Sequence, residues 1–347
     1  MKTKICLITS VICYTSFVFS QDIHFSQFYM SPLTQNPGMA GVDDDLEAII
    51  NYKDQWRSVA TPYKTIAASV DARLNKKKIK DGFWAGGLNF FSDRAGDAKM
   101  GITQINLSVA CHLSITKYHT LGIGLQGGYA QRSINYNSLQ WASQYDPNSG
   151  YNSSLASGES MTLPSFFYGD FAAGVVWSFN NTSGLIHTQD NHDLKANIGV
   201  SVFHFKQKYS FYKTSEEKLY PKFVLHGNAL ISLPNTNVAI VPGLIYYRQG
   251  PSQEIYIGSL IRYKLQQDSK FTGIKKGAAL NIGGYYRMKD GVTASFLLEY
   301  SSYAIGISYD FNTSKLRTAS TGRGGIEISL RYVTPNPFQQ KRMASFN

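Results

Sequence analysis

The stretch 102-ITQINLSVACHLSI-115 decides the fold class. From Thr103 its odd positions carry mostly apolar side chains, and from Gln104 its even positions carry mostly small or polar ones. Successive side chains of an extended chain point to opposite faces, so this alternation predicts a β-strand with one apolar and one polar face. The stretch is longer than the roughly five or six residues of a typical soluble strand and long enough to cross a bilayer.

The same alternation recurs along the chain after residue 45. About fourteen segments, most of them about 10 to 14 residues long, start near residues 46, 64, 82, 101, 118, 165, 193, 223, 237, 254, 277, 291, 303 and 324. Bacterial outer-membrane barrels use an even number of antiparallel strands of this length. The pattern therefore predicts an all-β fold, a transmembrane antiparallel β-barrel of about fourteen strands over residues 46–333. A soluble β-sandwich is the alternative, but its strands are shorter.

The composition agrees with a membrane barrel. Charged residues make up 16% of the 347 residues, below the roughly 25% of ordinary soluble domains, and aromatic residues make up 14%. No stretch after residue 20 has the roughly 18 consecutive apolar residues that a transmembrane helix needs. Aromatic side chains cluster near segment ends, where membrane-interface girdles lie. These clusters are Phe90–Phe91, Phe166–Tyr168, Tyr246–Tyr247, Tyr285–Tyr286 and Tyr300.

Seven charged side chains fall at mid-strand on the predicted polar face. They are Asp71, Arg73, Arg132, Asp170, Arg262, Glu299 and Arg331. Such charges are costly against lipid, and a wet or plugged lumen accommodates them. We therefore expect this face to line the inside of the barrel.

Residues 1–20 have the pattern of a signal peptide, with Lys2 and Lys4 before an apolar core. The residues around the end of that core predict cleavage between Ser20 and Gln21. A short membrane anchor is the alternative, but the apolar core is short and polar residues follow it at once. Export through the inner membrane then implies an outer-membrane location for the predicted barrel.

Removal of residues 1–20 takes away two Lys and no acidic residue, so the formal charge falls from +11 to +9. Cys111 is then the sole cysteine, so the mature chain has no internal disulfide. Export and the scattered positions of the basic residues argue against nucleic acid as a partner. Anionic lipids of the outer membrane or an acidic protein are the expected counterparts.

The lengths of the predicted connections give an orientation. If the N-terminal residues are periplasmic, the outward connections are 54–63, 92–100, 133–164, 207–222, 249–253, 289–290 and 312–324. They average about twelve residues and the inward ones about six, the usual asymmetry of outer-membrane barrels. Aromatic and Arg side chains on the outward loops are candidate surface contacts. They are Trp56, Arg57, Tyr63, Trp141, Tyr145, Arg317 and Arg323.

Residues 24–41, HFSQFYMSPLTQNPGMAG, precede the first predicted strand and are too apolar for a free tail. Pro32 and Pro37 disfavour a long helix. We therefore expect residues 21–45 to form a plug in or against the periplasmic side of the lumen, with a docking site for periplasmic machinery as the alternative. The residues singled out are His24, Phe25, Ser26, Gln27, Phe28, Tyr29, Pro32, Leu33, Asn36, Pro37 and Gly41.

Residues 24–41 closely resemble the opening signature of the PorP/SprF family of type IX secretion membrane proteins. Further stretches resemble the family in the same order: 51-NYKDQWR-57, 93-DRAG-96, 124-GLQGGYAQRS-133, 144-QYD-146, 303-YAIGISYDFNTSKL-316 and 325-GIEISLRY-332. The resemblance spans essentially the whole mature chain. The opening signature is the most specific of these stretches.

The resemblance implies a non-enzymatic outer-membrane barrel that works with the type IX system. One role in the family is to bind the C-terminal targeting domain of one large secreted protein, often a gliding adhesin, and to anchor it at the cell surface. The alternative within the family is a structural part of the secretion or gliding machinery, linked to periplasmic ring or motor proteins. The alternative from another class is a diffusion channel or small-solute transporter.

The sequence predicts no catalytic, cofactor or metal site. The one cluster rich in His, 187-HTQDNHD-193, is expected to be a solvated turn, with zinc as the alternative. Three acidic residues at 43–45 are expected to be solvated as well, with calcium as the alternative. Gly122 and Gly124 lie at mid-strand with no helix after them, so a nucleotide site is rejected. We expect these glycines to make room for a bulky neighbour in the lumen. The residues 334–347 are expected to form a C-terminal tail.

Overall fold

The computed structural model describes residues 22–58, 61–79, 82–146, 149–158, 165–181, 194–205, 208–209, 217–266, 276–314 and 317–334. Fourteen strands of this part form a closed antiparallel barrel. They are β1 (Leu46–Gln55), β2 (Tyr63–Ile79), β3 (Gly82–Ala95), β4 (Met100–Ser114), β5 (His119–Ser133), β6 (Ser165–Asn181), β7 (Leu194–Phe203), β8 (Lys222–Ser232), β9 (Val238–Gln249), β10 (Ser252–Gln266), β11 (Ala278–Arg287), β12 (Gly291–Tyr300), β13 (Tyr303–Asn312) and β14 (Arg323–Thr334).

Each strand pairs with its neighbours in the chain, and β1 pairs with β14 to close the barrel. In this seam Leu46 lies opposite Thr334 and Gln55 lies opposite Gly325. The prediction of a fourteen-stranded antiparallel barrel is confirmed, and each predicted start lies within two residues of the observed one. The last strand includes Thr334, one residue beyond the predicted boundary. Residues 1–21 and 335–347, which hold the predicted signal peptide and most of the predicted tail, lie outside the described residues.

The alternating pattern places polar side chains inside the barrel and apolar ones outside. In β4, Gln104 and Asn106 are buried in the lumen, whereas the intervening Ile105 is 53% exposed and Leu107 is 59% exposed. A ring of exposed aliphatic and aromatic side chains is what a surrounding bilayer requires of a barrel's outer face. Among the described residues, no helix is long and apolar enough to cross a membrane.

The connections differ between the two ends of the barrel. One end, which we name the long-loop end, carries residues 134–164 between β5 and β6 and residues 204–221 between β7 and β8. The other, the short-turn end, carries the tight turns 115–118 and 301–302. The connection at 180–192, which is long for a predicted periplasmic turn, falls mostly outside the described residues. Because outer-membrane barrels usually have long outer loops and short inner turns, we expect the long-loop end to face the cell surface.

Candidate functional site

The residues before β1 lie inside the barrel. Residues 22–45, which we name the N-terminal segment, include three single-turn 3-10 helices, Phe28–Met30, Pro32–Thr34 and Pro37–Met39. A proline begins the second and third of them, where its missing N–H costs no hydrogen bond. Of the eleven motif residues, nine are buried, and His24 and Tyr29 are half-buried.

Apolar side chains of the N-terminal segment pack against the barrel wall. Phe28 meets the ring of Tyr285 edge to face, with 5.0 Å between the ring centroids. Leu33 packs against Ala85 and Ala110. The large buried apolar side chains of the segment are Phe25, Phe28, Met30, Leu33 and Met39. Burial of each contributes roughly 1.5–3 kcal/mol, so together they stabilise the position of the segment by on the order of 10 kcal/mol.

The segment extends through the whole length of the lumen. Asp22 lies at the long-loop end, where its carboxylate is 3.0 Å from Nζ of Lys222, the first residue of β8. Asp45 lies at the short-turn end, beside Arg73. The sequence predicts a plug in or against the periplasmic side of the lumen. In the structure the segment has anchoring contacts at both ends of the barrel and between them.

Asn36 anchors the middle of the segment to three strands. Its Nδ2 donates to the carbonyl oxygens of Val175 at 3.0 Å and Val200 at 3.3 Å, and lies 3.1 Å from Nε2 of His226. Its Oδ1 accepts from the N–H of Gly38 at 2.8 Å. The amide therefore has partners on both its donor and its acceptor atom, as a buried polar group requires.

Glycines in the wall make room for this part of the segment. A Cβ on Gly124 would lie 2.3 Å from the backbone nitrogen of Gly38, and one on Gly174 would lie 2.0 Å from Oδ1 of Asn36. A Cβ on Gly122 would lie 2.5 Å from Nδ1 of His112. The expectation that Gly122 and Gly124 make room for a lumen neighbour is confirmed.

Near the long-loop end the segment binds both strands of the closing seam. The carboxylate of Glu327 on β14 accepts from the backbone N–H groups of Ser26 at 2.8 Å and Gln27 at 2.9 Å. Lys53 on β1 donates from Nζ to the carbonyl oxygen of His24 at 3.0 Å. Sequence reasoning missed Lys53 and Glu327. Their positions in the alternating pattern could have indicated that both face the lumen, because both fall on the inward face of their strands.

At the short-turn end the predicted lumen charges hold the segment. Asp71 accepts from the N–H of Gly41 at 2.7 Å, and Gly41 has a φ of +69°, which suits glycine. Arg73 donates to the carbonyl oxygen of Gly41 at 2.6 Å and pairs with Asp45 at 2.9 Å. Arg331 pairs with Asp44 at 2.6 Å.

The remaining predicted lumen charges also face inward. Arg262 and Glu299 form an ion pair at 2.6 Å. Asp170 lies 2.9 Å from Nδ1 of His204. Arg132 is half-buried on the inward face of β5. Charged groups in the lumen therefore contact the segment, contact each other, or line the wall.

Four ionisable side chains at the long-loop end form a cluster that we name the Asp22 clasp: Asp22, Asp170, His204 and Lys222. Nε2 of His204 lies 2.5 Å from the Asp22 carboxylate, and Nδ1 faces Asp170. Burial alone disfavours charged His204, but the two carboxylates outweigh it and raise its pKa to about 9. Burial also acts against ionised Asp22, but His204 and Lys222 keep its pKa well below the usual range.

We expect the Asp22 clasp to weaken as pH rises through about 9. The pKa of His204 is raised from 6.5 to about 9 in the folded protein, so its stabilisation is complete below about 6.5 and lost above about 9. The shift corresponds to roughly 3 kcal/mol as an upper bound. The thermal unfolding midpoint should fall over this pH window, and it should change less in His204→Gln. Identical pH profiles for the two proteins would contradict the assignment.

The predicted surface residues lie on the long-loop end. Arg57 is exposed, and the rings of Trp56 and Tyr63 meet edge to face at 4.8 Å. Arg317 is exposed on the last connection, and Arg323 is exposed at the start of β14. Neighbouring connections are joined by hydrogen bonds, from Ser58 to the carbonyl oxygen of Ser320 at 3.3 Å, and from the N–H of Asn135 to the carbonyl oxygen of Ala98 at 2.8 Å.

The longest connection contains a small hairpin formed by Tyr145–Asp146 and Gly150–Tyr151. Tyr145 lies opposite Tyr151, and they are 65% and 39% exposed. Trp141, just before the hairpin, is half-buried. Sequence reasoning missed Tyr151, since only the pairing of the hairpin brings it beside Tyr145.

No group of His, Cys, Asp or Glu side chains that could hold a metal ion occurs within the described parts of the chain. The cluster at residues 187–193 lies outside them. A cavity of about 20 Å³ opens beside Asp22 and His24, lined also by Lys222, Tyr247 and Glu254. It has room for about one water molecule.

Several solved structures are similar to this chain at low sequence identity. The CymD monoaromatic hydrocarbon channel is 10% identical over 88% of this chain and 93% of that one, with a TM-score of 0.46. A Pseudomonas aeruginosa FadL homologue is 12% identical over 86% and 92%, with a TM-score of 0.44. CdiB from Acinetobacter baumannii is 12% identical over 83% of this chain, with a TM-score of 0.40, and this chain spans 60% of its length.

No curated protein matches this chain in sequence. The family described as type IX secretion system membrane protein PorP/SprF matches residues 17–332, nearly the whole chain. The match includes the N-terminal segment as well as the barrel, so it covers the same parts as the resemblance read from the sequence. The chain therefore belongs to the PorP/SprF family of type IX secretion system membrane proteins.

Proposed function

We propose that this outer-membrane barrel partners a type IX-secreted protein and anchors it at the cell surface by binding its C-terminal domain. The observation that carries the proposal is that the lumen is filled by the chain itself, while groups suited to binding lie on the long-loop end. The chain's own N-terminal segment occupies the lumen from Asp22 to Asp45, while exposed aromatic and Arg side chains lie on the long-loop end. An occupied lumen favours a binding function over a diffusion channel.

The long-loop end has the chemistry of a protein-binding surface. Stable complexes bury roughly 800 Å² on each partner, and a few Tyr, Trp and Arg side chains supply most of the binding energy. Tyr145 and Tyr151 on the small hairpin, and Arg57 on the first connection, are exposed groups of these types. Hydrogen bonds between neighbouring connections reduce the entropy lost when a partner binds.

The outer membrane is the location that the barrel fold and the family support, and both are non-enzymatic in kind. We propose cleavage of a signal peptide between Ser20 and Gln21 before insertion. Outer-membrane lipids then contact the exposed aliphatic belt, and components of the type IX system act as further partners during delivery of the secreted protein.

Isolation of the complex tests the proposal. An affinity tag at the C-terminus, in mild detergent and in cells with active type IX secretion, should recover one very large secreted protein in near-equal amount. Recovery of periplasmic ring and motor proteins in its place would assign the chain to the machinery. Recovery of the barrel alone, together with rapid swelling of liposomes in small sugars, would support the channel instead.

We expect Tyr145→Ala to reduce recovery of the secreted protein about fivefold or more, because an exposed aromatic anchor at an interface contributes about 1–4 kcal/mol. Tyr145 is 65% exposed, so its loss removes little from the barrel itself. Tyr118→Ala is the matched control, since Tyr118 is 40% exposed at the opposite end. Equal recovery with both variants, measured by quantitative mass spectrometry, would remove Tyr145 from the interface.

A further inference from the structure

The N-terminal segment passes through the barrel once, in addition to the fourteen strands. It begins at the long-loop end with Asp22 and reaches the start of β1, Leu46, at the short-turn end. The last strand also ends at the short-turn end, because Thr334 lies opposite Leu46. Residues 22 and 334 therefore lie at opposite ends of the barrel.

We propose that the amino end of the mature chain emerges at the cell surface, through the long-loop end of its own barrel. The proposal rests on the outward orientation of that end and on removal of residues 1–20, and it does not depend on which partner binds there. The carboxyl end of β14 then lies on the periplasmic side.

Contacts along the segment define a single direction of passage. From the long-loop end inward, Asp22 contacts Lys222, Ser26 and Gln27 contact Glu327, and Phe28 contacts Tyr285. These partners come from β8, β14 and β11, so the segment touches several sides of the wall in turn.

The lower half of the segment continues in the same direction. Asn36 contacts β6, β7 and β8, Gly41 contacts Asp71 on β2, and Asp45 contacts Arg73 two residues further along β2. In this order of contacts, the chain does not turn back toward the long-loop end within residues 22–45. Asp22, the first described residue, therefore lies at the long-loop end, and the chain from Asp22 to Asp45 runs in one direction through the lumen.

The Asp22 clasp holds the outer end of the segment at this mouth. Asp22 contacts His204, directly after β7, and Lys222, at the start of β8. Asp170 on β6 contacts His204 in turn. Gln249, the last residue of β9, accepts from the backbone N–H of Asp22 at 3.0 Å. A segment that merely blocked the periplasmic side would have no need of partners at this end.

The contacts of the segment with the two strands that close the barrel indicate when, during assembly, the segment enters the lumen. Lys53 on β1 and Glu327 on β14 both bind the segment, and these strands pair to close the barrel. Phe28 and Leu33, further toward the short-turn end, are buried against the inner face of the barrel. The simplest order of assembly therefore encloses the segment, amino end outward, before β1 meets β14.

Cysteine labelling on intact cells tests the proposal. In a Cys111→Ser background, a membrane-impermeant maleimide probe should label a cysteine inserted between Gln21 and Asp22 in intact cells as readily as Ser153→Cys in the long connection. Lys117→Cys, in a tight turn at the short-turn end, should react only after permeabilisation of the outer membrane. Mass spectrometry of the amino end confirms that residues 1–20 are absent.

Two outcomes would overturn the proposal. One is labelling of the inserted cysteine only after permeabilisation while Ser153→Cys reacts in intact cells. The other is reaction of Lys117→Cys in intact cells, which would reverse the orientation. Heat-modifiable migration on gels shows that each variant has folded, and Ile23→Cys replaces the insertion variant if that variant is not processed. Absence of a bound secreted protein would refute the proposed anchor role without changing the labelling pattern.

Discussion

Deletion of residues 22–41 is expected to convert the closed barrel into an ion-conducting pore. The deletion removes the side chains that fill the lumen and leaves a wall lined by polar groups such as Asn106, Gln126 and Glu327. Fourteen strands enclose more space than the eight whose side chains fill a barrel by themselves. Water and small ions should therefore enter, and planar-bilayer conductance should rise from background to clear single-channel steps.

The deletion experiment needs a control for reconstitution. A variant that lacks residues 149–158 of the long connection keeps the N-terminal segment and should stay closed. Adding a synthetic peptide of residues 22–41 to the deletion variant should reduce its conductance, because the lumen contacts of the segment remain available in the wall. A heat-modifiable, folded deletion variant with no conductance would refute the role of the segment as a plug.

The second large effect is expected from Gly124→Ala on β5. The added Cβ would lie 2.3 Å from the backbone nitrogen of Gly38 and 2.4 Å from the carbonyl carbon of Pro37. These are backbone atoms of a buried segment, so they cannot rotate away as a side chain can. Overpacking of this kind costs about 1–3 kcal/mol. We expect a lower thermal unfolding midpoint together with measurable ion leakage, since both follow from displacement of the segment.

Gly127→Ala is the matched control on the same strand. Gly127 faces outward, and an added Cβ would lie 3.6 Å from the ring of Phe171, an ordinary contact distance. Its effect on stability should stay within about 0.5 kcal/mol. If the two variants unfold at the same temperature and neither leaks, the wall at Gly124 does not hold the segment in place.

The strands are the part of the molecule that local sequence pattern specifies. The inward and outward faces of β4 follow from the alternation between Gln104 and His112, because a side chain's face in a strand depends only on its parity. The same parity predicts that Asp71, Arg73 and Arg331 face the lumen. Strand starts agree within two residues because the alternation stops where a turn begins.

The path of the N-terminal segment was decided by contacts between residues far apart in the chain. Its composition predicted burial, since Phe28 and Leu33 are too apolar for water. Composition carries no direction, however, and it does not show how far along the lumen the segment extends. The position of the amino end of the segment depends on the contact of Asp22 with His204, 182 residues away, and on that of Ser26 with Glu327, 301 residues away.

The division between sequence and tertiary structure has a physical basis. Alternation along one strand determines which side chains face the lumen, so the barrel and its polar interior are encoded locally. Which lumen side chains meet depends on barrel closure, because the β1–β14 seam brings Lys53 and Glu327 to the same point of the segment. Only the closed barrel therefore determines that the segment fills the lumen and that Asp22 reaches the long-loop end.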